Sequence, residues 1–251
     1  MAGTALLGRL SWRLGTVVAL RDETSRVRTI VLDMPGWLGH QPGQHVDVRL
    51  TAEDGYRAER SYSIASPPEQ DEVELTVEYL EDGEVSSYLV GELREGDQLE
   101  LRGPIGGYFV WTADRPAPLQ LIAGGSGVVP LMCMLRHRAA VGSLAPARLL
   151  YSAKTHDQII YADELERLAT ADDGFELFET VTGITPPGWT GYSRRIDQQM
   201  LATVAWPAAA RPTSFVCGPT SLVESVATSL LALDHDPASI KTERFGPTGG
   251  A

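Results

Sequence analysis

The feature of this sequence that most constrains its fold is a change of hydrophobic pattern near residue 112. Before that point, apolar and polar residues alternate within short segments such as residues 46–50 and 73–79, the pattern of half-buried β-strands. After it, short apolar runs are followed by segments with helical spacing of apolar residues. The first pattern predicts a small antiparallel barrel, and the second predicts a doubly wound parallel sheet. We therefore expect two domains, a β-barrel over residues 1–112 and an α/β domain over residues 113–251.

The elements predicted within each half follow from the same patterns. In the first half, residues 86–93 have a helical pattern, and Ser86 is predicted to cap that helix after a turn at Gly83. In the second half, we expect helices over residues 129–140 and 162–169 and strands over residues 119–123, 148–152, 176–181, 214–217 and 241–245. A last helix follows Cys217, and its predicted apolar face consists of Leu222, Val223, Val226, Ala227, Leu230 and Leu231.

Charge and cysteine content exclude several classes of function. The 251 residues include 21 basic and 33 acidic ones, a formal net charge of −12. Such a field repels phosphate backbones and anionic lipid heads, so neither nucleic acid nor a membrane is expected as a partner. Solubility alone also accounts for the charge. The two cysteines, Cys133 and Cys217, cannot supply the four thiolates of an iron–sulfur cluster, no metal site is predicted, and a reducing, cytoplasmic setting is expected.

Two glycine-containing turns follow predicted strands of the second half. Residues 124–130 read Gly-Gly-Ser-Gly-Val-Val-Pro, and residues 216–219 read Val-Cys-Gly-Pro. Glycines let a ligand approach the backbone, and the start of the next helix offers free N–H groups to a phosphate. Because ligands bind beyond the carboxyl ends of parallel strands, both turns are expected on one rim of the sheet. The alternatives are a plain strand-to-helix turn and a Cys217 that is only a buried apolar residue.

The first half contains two segments whose residue types suit a phosphate and a planar ring. Residues 60–63, Arg-Ser-Tyr-Ser, place a guanidinium, an aromatic ring and small hydroxyls within four positions. Residues 82–89 combine a glycine turn with serines at a predicted helix start, where an anion can bind. The alternatives are an edge strand with a solvated arginine and an ordinary capped helix.

Taken in order, these motifs resemble the ferredoxin–NADP reductase superfamily of flavoenzymes over nearly the whole chain. Residues 60–63 resemble its R-x-Y-S motif, which implies that Arg60 binds the flavin pyrophosphate, Tyr62 packs on the flavin and Ser63 faces its hydride-accepting nitrogen. Residues 103–109 resemble the glycine-rich segment that closes the barrel. The resemblance implies FAD as the flavin, and it implies flavin contacts from Ser61, Val77, Glu78, Tyr79, Gly83, Val85, Ser86 and Ser87.

The second half resembles the pyridine-nucleotide domain of that family. Residues 124–130 resemble the pyrophosphate loop, which implies nucleotide contacts from Gly124, Gly125, Gly127 and Pro130. Cys217, Gly218 and Pro219 resemble the C-G-P motif, in which the cysteine lies near the nicotinamide. Ser152 and Lys154 resemble the pair that holds the 2′-phosphate of NADP, and no acidic residue ends that strand, so NADP(H) is expected rather than NAD. Arg194 and Arg195 can add positive charge there, or can form a solvated helix start.

The resemblance also covers the C-terminal strand and implies a function. Glu243 and Phe245 match the carboxylate and aromatic types that family members place beside the flavin, and Ser63, Cys217 and Glu243 are the expected catalytic residues. The implied activity is hydride transfer from NADPH to FAD, with electrons passed to a ferredoxin, a flavodoxin or an oxygenase component. Because no Cys-rich extension is present, that acceptor is expected to be a separate protein. The alternatives are reduction of a small acceptor, such as free flavin or a ferric chelate, and a non-catalytic nucleotide-sensing subunit.

Overall fold

The computed structural model describes residues 10–114, 117–171 and 174–246. The first half forms one antiparallel sheet with the strand order β4-β3-β6-β1-β2-β5. A bridge between Ile64, directly after β4, and Leu75 on β5 joins the two edges of that sheet. The predicted antiparallel barrel is therefore confirmed. Its elements are β1 (Arg13–Thr24), β2 (Val27–Asp33), β3 (His45–Thr51), β4 (Arg57–Ser63), β5 (Val73–Glu78), α1 (Glu84–Gly91) and β6 (Gln98–Ile105).

Apolar side chains that alternate along the strands fill the barrel interior. On β3, Val46 and Val48 are fully buried, whereas Asp47 between them lies half-buried on the outer face. On β5, however, the polar residues Glu74 and Thr76 are each only 5% exposed. The second half of the chain covers the outer face of β5, and its side chains hydrogen-bond both residues. The prediction of a half-buried strand is therefore wrong for β5, which is buried on both faces.

The second half is a five-stranded parallel sheet with the order β11-β10-β7-β8-β9. Strands β8 and β9 follow β7 on one side of it, and β10 and β11 then lie on its other side. The strand order therefore reverses between β7 and β10. This is the predicted doubly wound arrangement. Its elements are β7 (Leu119–Gly124), α2 (Val128–Ala140), β8 (Ala147–Ala153), α3 (Ala162–Thr170), β9 (Phe175–Val181), α4 (Gln198–Val204), β10 (Thr213–Pro219), α5 (Thr220–Ala232) and β11 (Ile240–Phe245).

Helices cover both faces of the parallel sheet, because successive strand residues point to opposite sides. Leu121 and Phe215 pack in the apolar cluster that contains α2 and α3 residues. Their neighbours Ile122 and Val216 pack in the cluster formed with α4 and α5. Within the described part of the chain, no helix combines the length and the apolar character that crossing a bilayer requires.

Two predicted details of the helices are wrong, and one helix is absent from the predicted elements. Helix α1 begins at Glu84 with Gly83 as its cap, and the Ser86 hydroxyl, inside the helix, donates to the Gly83 carbonyl at 3.2 Å. Leu231, predicted on the apolar face of α5, is 46% exposed, whereas its neighbour Leu230 is fully buried, so Leu231 lies beyond the edge of that face. Helix α4 was not predicted, although Asp197 caps it by accepting a hydrogen bond from the Met200 amide at 2.8 Å.

Candidate active site

A cleft of about 750 Å³ opens at the carboxyl-terminal edge of the parallel sheet, where the barrel faces it. The end of β7, the end of β8 and the start of α5 form its walls, and this edge includes the switch point between β7 and β10. Open α/β sheets bind their ligands at this position. Of the predicted site residues, the cleft is lined by Glu78, Gly124, Gly125, Ser152, Lys154, Arg195 and Pro219.

The glycines of the two turns have different physical roles. Gly125 has a left-handed backbone with φ +54°, and a methyl group added to it would have no neighbour within 4 Å, so this glycine faces the open cleft. A methyl group on Gly127 would instead lie 2.3 Å from the Cys217 carbonyl oxygen. Gly218 has φ +147°, and a methyl group there would lie 2.9 Å from the Gly124 carbonyl oxygen. Gly127 and Gly218 therefore let the two turns pack backbone against backbone, and Gly125 leaves the cleft accessible.

Four predicted residues lie behind this surface rather than on it. Pro130 is buried in the first turn of α2 and does not line the cleft. Gly127 and Gly218 are buried where the two turns pack against each other. The Cys217 side chain is fully buried, with Ala123 and Glu243 as its register partners on the neighbouring strands. Burial and the Glu243 carboxylate raise the pKa of the Cys217 thiol well above its usual value, so this group stays protonated at neutral pH.

Glu243 and Phe245 lie on the edge strand β11. Burial raises the pKa of Glu243 to about 7, so its carboxyl group can gain or lose a proton near neutral pH. The Phe245 ring is half-buried and packs against the core cluster that contains Cys217. Phe245 pairs in register with Pro219, which lines the cleft.

Cationic side chains stand at the end of the cleft that lies beyond β8. Ser152 is the register partner of Gly124 and is 8% exposed. The side chains of Lys154 and Arg195 are exposed and form no hydrogen bond or ion pair with the described residues. Both side chains are therefore available to bind an anion. The Arg194 side chain is not available, because its guanidinium forms an ion pair with Asp197 at the start of α4, and Arg194 does not line the cleft.

The R-x-Y-S segment forms the end of β4 on the barrel, outside the cleft lining. The Arg60 guanidinium is exposed and donates to the Glu59 carbonyl at 2.7 Å. Tyr62 packs against the barrel core, and burial raises the pKa of its hydroxyl. Ser63 is the buried last residue of β4. Ser61 points to the opposite side of the strand from Arg60 and Tyr62, where its hydroxyl donates to Asp47 at 2.7 Å.

The remaining predicted flavin contacts surround the start of α1. Val77 and Val85 are buried in the barrel core, so their side chains are not available to a ligand. The Gly83 cap of α1 makes no side-chain hydrogen bond, which leaves amide groups of the first turn free. The Ser87 hydroxyl donates to the Glu84 carbonyl at 3.2 Å, and Tyr79 lies half-buried beneath Arg26. The exposed guanidinium of Arg60, whose one hydrogen bond goes to the adjacent Glu59 carbonyl, and the helix start are donor types that suit a flavin pyrophosphate.

The cleft has a wall that the sequence motifs do not reveal. Thr24, Arg26 and Val27, in the hairpin between β1 and β2, line it from the barrel side. Val27 on β2 pairs in register with Glu78 on β5, so these two adjacent strands each contribute a residue to the cleft. No local pattern in the hairpin indicates a ligand, because its role depends on how the two halves pack. Ser126, Gln158 and Thr182 are further lining residues that were not predicted.

An antiparallel barrel with an R-x-Y-S strand, followed by a doubly wound sheet with a glycine-lined cleft, defines the class of two-domain flavin and nicotinamide oxidoreductases. Comparison with known families agrees. Residues 14–110 match the oxidoreductase FAD-binding domain, and residues 121–228 match the oxidoreductase NAD-binding domain. The chain belongs to the ferredoxin reductase-like superfamily, and its two halves correspond to the FAD-binding and NAD-binding domains of oxidoreductases.

Individual relatives show how far the similarity extends. The chain is 32% identical over 211 residues to NADH-cytochrome b5 reductase 1 of Aspergillus terreus, which covers 80% of this chain and 70% of the relative. It is 32% identical over 237 residues to the glycine betaine monooxygenase reductase subunit of Pseudomonas aeruginosa, 92% of this chain but 63% of that relative. The FAD/NAD-binding domain of nitric oxide dioxygenase from Vibrio cholerae superposes with a TM-score of 0.85 at 27% identity, covering 95% of this chain and 100% of that domain.

Proposed function

We propose that the chain transfers a hydride from NADPH to FAD and passes the electrons to a separate acceptor protein, such as a ferredoxin, a flavodoxin or an oxygenase component. The observation that carries the choice of NADPH is that two cations line the cleft together with Ser152: Lys154, directly after β8, and Arg195, before α4. Neither forms a hydrogen bond or an ion pair with the described residues. The 2′-phosphate that distinguishes NADPH from NADH carries close to two negative charges, and a cationic site favours it. An NAD site would instead present an acidic residue to the ribose hydroxyls.

The residues have distinct tasks in this proposal. Arg60 and the start of α1 would hold the FAD pyrophosphate, with Tyr62 against the ring and Ser63 at its hydride-accepting edge. Gly124, Gly125 and the start of α2 would receive the pyrophosphate of NADPH, and Glu243 would hold a proton on its carboxyl group near the reacting ring. When bound, FAD supplies the chemistry that converts a two-electron hydride into single electrons. We place the boundary between the FAD-binding and NADP-binding domains at residues 112 and 113.

Support for a separate acceptor comes from the relatives. The glycine betaine monooxygenase reductase subunit is by its name one component of an oxygenase, and this chain spans 63% of its length. We further propose a cytoplasmic setting, since Cys133 and Cys217 are both free and buried.

The test is anaerobic reduction of the purified flavoprotein by NADPH and by NADH in stopped flow. Lys154→Ala removes an ammonium worth on the order of 1–2 kcal/mol to a 2′-phosphate at a partly exposed site. We expect its Michaelis constant for NADPH to rise about five- to thirtyfold and that for NADH to stay nearly unchanged. Arg94→Ala is the matched control, because Arg94 is an exposed cation that does not line the cleft.

Two results would overturn parts of the proposal. Equal reduction of the wild type by NADH and NADPH at low ionic strength would refute the 2′-phosphate site at Ser152 and Lys154. Turnover that saturates with free flavin or a ferric chelate, but not with a ferredoxin, a flavodoxin or an oxygenase component, would refute the protein acceptor.

A further inference from the structure

A buried polar cluster joins the two halves of the molecule outside the cleft lining, and Arg136 of α2 lies at its centre. The Arg136 side chain is 13% exposed. Its Nε and Nη2 donate to the two carboxylate oxygens of Glu164, in α3 of the same half, at 2.8 and 2.7 Å. Its Nη1 donates at 3.0 Å to the Ala65 carbonyl and at 3.0 Å to Glu74 Oε2, both in the barrel. One guanidinium therefore binds both halves at once.

The partners of Arg136 belong to the segments that carry the two predicted cofactor sites. Ala65 lies two residues beyond Ser63, the last residue of β4, and its amide donates to the Glu74 carbonyl at 2.8 Å. Arg136 itself lies on the helix that begins directly after the turn at residues 125–127. Arg136 thus connects the strand with the R-x-Y-S motif to the helix behind the glycine turn. Two weaker contacts of the same helix lie beside it, from Cys133 Sγ to the Ser66 carbonyl at 2.9 Å and between His137 and Glu69 at 2.8 Å.

Arg21 and Arg136 form ion pairs with Glu74 and Glu164, and these directional contacts make the geometry of the cluster specific. Burial alone would raise the pKa of Glu74, but the hydrogen bond from Arg21 and the charges of Arg136 and Arg21 hold that pKa below its usual value. Arg21 donates to Glu74 Oε1 at 2.8 Å, so each carboxylate oxygen has its own guanidinium. Removing one member would leave a buried charge without its partner. A lysine cannot replace Arg136, because an ammonium lacks the planar fork that binds Glu164 through two parallel bonds.

A neutral contact lies beside the charged one. The Tyr161 hydroxyl, at the start of α3, donates to Thr76 Oγ1 on β5, and Thr76 Oγ1 lies 2.7 Å from Thr29 Oγ1 on β2. The Arg136 guanidinium lies 5.0 Å from the centre of the Tyr161 ring. The polar residues on the outer face of β5 thus meet α2 and α3 in one interface, which explains why Glu74 and Thr76 are buried.

We propose that Arg136 is a positioning residue for hydride transfer: it fixes the distance between the flavin-binding strand and the nucleotide-binding turns, and it touches neither cofactor. This inference rests on the cofactor placement proposed above, but it does not depend on the choice between NADPH and NADH. The rate of transfer is very sensitive to such a distance, since a displacement of about 1 Å can cost about a hundredfold. Apolar contacts between the halves, such as the edge-to-face pair Phe109 and Phe215, do not fix a distance in the way that directional hydrogen bonds do.

The test compares Arg136→Lys with Arg148→Lys in the flavin-loaded protein. Arg148 is a matched control, because it also binds a carboxylate, that of Glu176, and a backbone carbonyl, that of Val204, but entirely within the second half. For Arg136→Lys we expect the single-turnover rate of flavin reduction at saturating nucleotide to fall about tenfold. Flavin content and the dissociation constant of the nucleotide should change less than threefold. Amide hydrogen exchange of β5 and α3 should become faster, and Arg148→Lys should match the wild type in all these measurements.

A second variant keeps the test decisive. Glu164→Gln removes the charge that orients the Arg136 fork and leaves its cross-domain partners in place, so a smaller loss of rate in the same direction is expected. The proposal is overturned if Arg136→Lys reduces nucleotide affinity and rate by the same factor, since that indicates a role in binding. It is also overturned if exchange in β5 and α3 accelerates while the rate of flavin reduction stays at the wild-type value. Failure of the cofactor placement is recognised separately, because Arg60→Ala would then retain full flavin affinity.

Discussion

Gly125 and Gly127, two positions apart in one turn, should respond differently to the same substitution: alanine at Gly127 should mainly reduce stability, and alanine at Gly125 should mainly reduce nucleotide binding. In Gly127→Ala, the new methyl group would lie 2.3 Å from the Cys217 carbonyl oxygen and 2.6 Å from the Gly218 amide nitrogen, both main-chain atoms that cannot rotate away. Forcing an extra carbon into such a packed contact costs about 3 kcal/mol. In a domain pair of this size, that cost lowers the melting temperature by about 6–12 °C.

In Gly125→Ala, the methyl group meets no atom within 4 Å, and the cost comes only from the left-handed backbone at φ +54°. That conformation costs an alanine about 1 kcal/mol, which lowers the melting temperature by about 2–4 °C. The methyl group would, however, occupy the space that a pyrophosphate needs for close approach to the turn. The Michaelis constant for the nucleotide should therefore rise about tenfold or more in Gly125→Ala.

Differential scanning calorimetry and single-turnover flavin reduction on the two variants test this distinction. Gly127→Ala protein that remains folded at the assay temperature should bind the nucleotide within about threefold of the wild type. The reasoning is refuted if Gly125→Ala is the less stable of the two, or if it binds the nucleotide normally.

Three further predictions concern the other site residues. Arg60→Ala should weaken flavin binding about ten- to a hundredfold, because it removes a charge-assisted hydrogen bond worth roughly 1.5–3 kcal/mol. Flavin titration of the apoprotein measures this change, and full affinity would contradict the role of Arg60. Ser63→Ala and Cys217→Ala should each slow flavin reduction in stopped flow while flavin content stays intact, and unchanged rates in both would make these residues structural. Glu243 should reduce stability as the pH rises, because its pKa in the folded protein, about 7, lies above the unfolded value. Between the unfolded pKa of 4.5 and about pH 7, the folded state holds a proton on Glu243 that the unfolded state has lost. The free energy of unfolding therefore falls as the pH rises through this range toward 7. Glu243→Gln should increase the free energy of unfolding at pH 8 by on the order of 1–3 kcal/mol and by much less at pH 5. Urea titrations at the two pH values measure both effects. An equal effect at pH 5 and pH 8 would rule out this ionisation.

The hydrophobic pattern of the sequence predicted the strands and helices that bury one complete face, or both faces, against the core. The alternation of Val46 and Val48 with Asp47 indicated β3 correctly, and the apolar runs at β7 and β8 indicated a parallel sheet. Helix α4 was missed because it has seven residues, too few for a helical period to stand out. The preference of serine for helix caps predicts Ser86 as the cap of α1. In the structure Gly83, three residues earlier, has the extended backbone of the cap, and the helix begins at Glu84.

Residues that line the cleft could be predicted where a motif lies on one segment and could not where the two halves meet. The turn at Gly125 and the end of β8 at Lys154 could be located from the sequence, because each motif determines its own local structure. The lining residues of the β1–β2 hairpin and the burial of Glu74 could not, since both depend on how the barrel packs against the sheet. Arg194 and Arg195 have the same residue type, and only the ion pair with Asp197 distinguishes the engaged side chain from the free one.

The contribution of Thr24, Arg26 and Val27 to the cleft has a consequence for recombining this protein with its relatives. A chimaera that joins this parallel sheet to a foreign barrel would keep every glycine of the nucleotide turns and still lose one wall of the pocket. Grafting the β1–β2 hairpin together with the sheet would restore that wall. Under the proposed placement of the nucleotide in this cleft, both halves contribute to its pocket, and exchange of complete domains alone should weaken nucleotide binding.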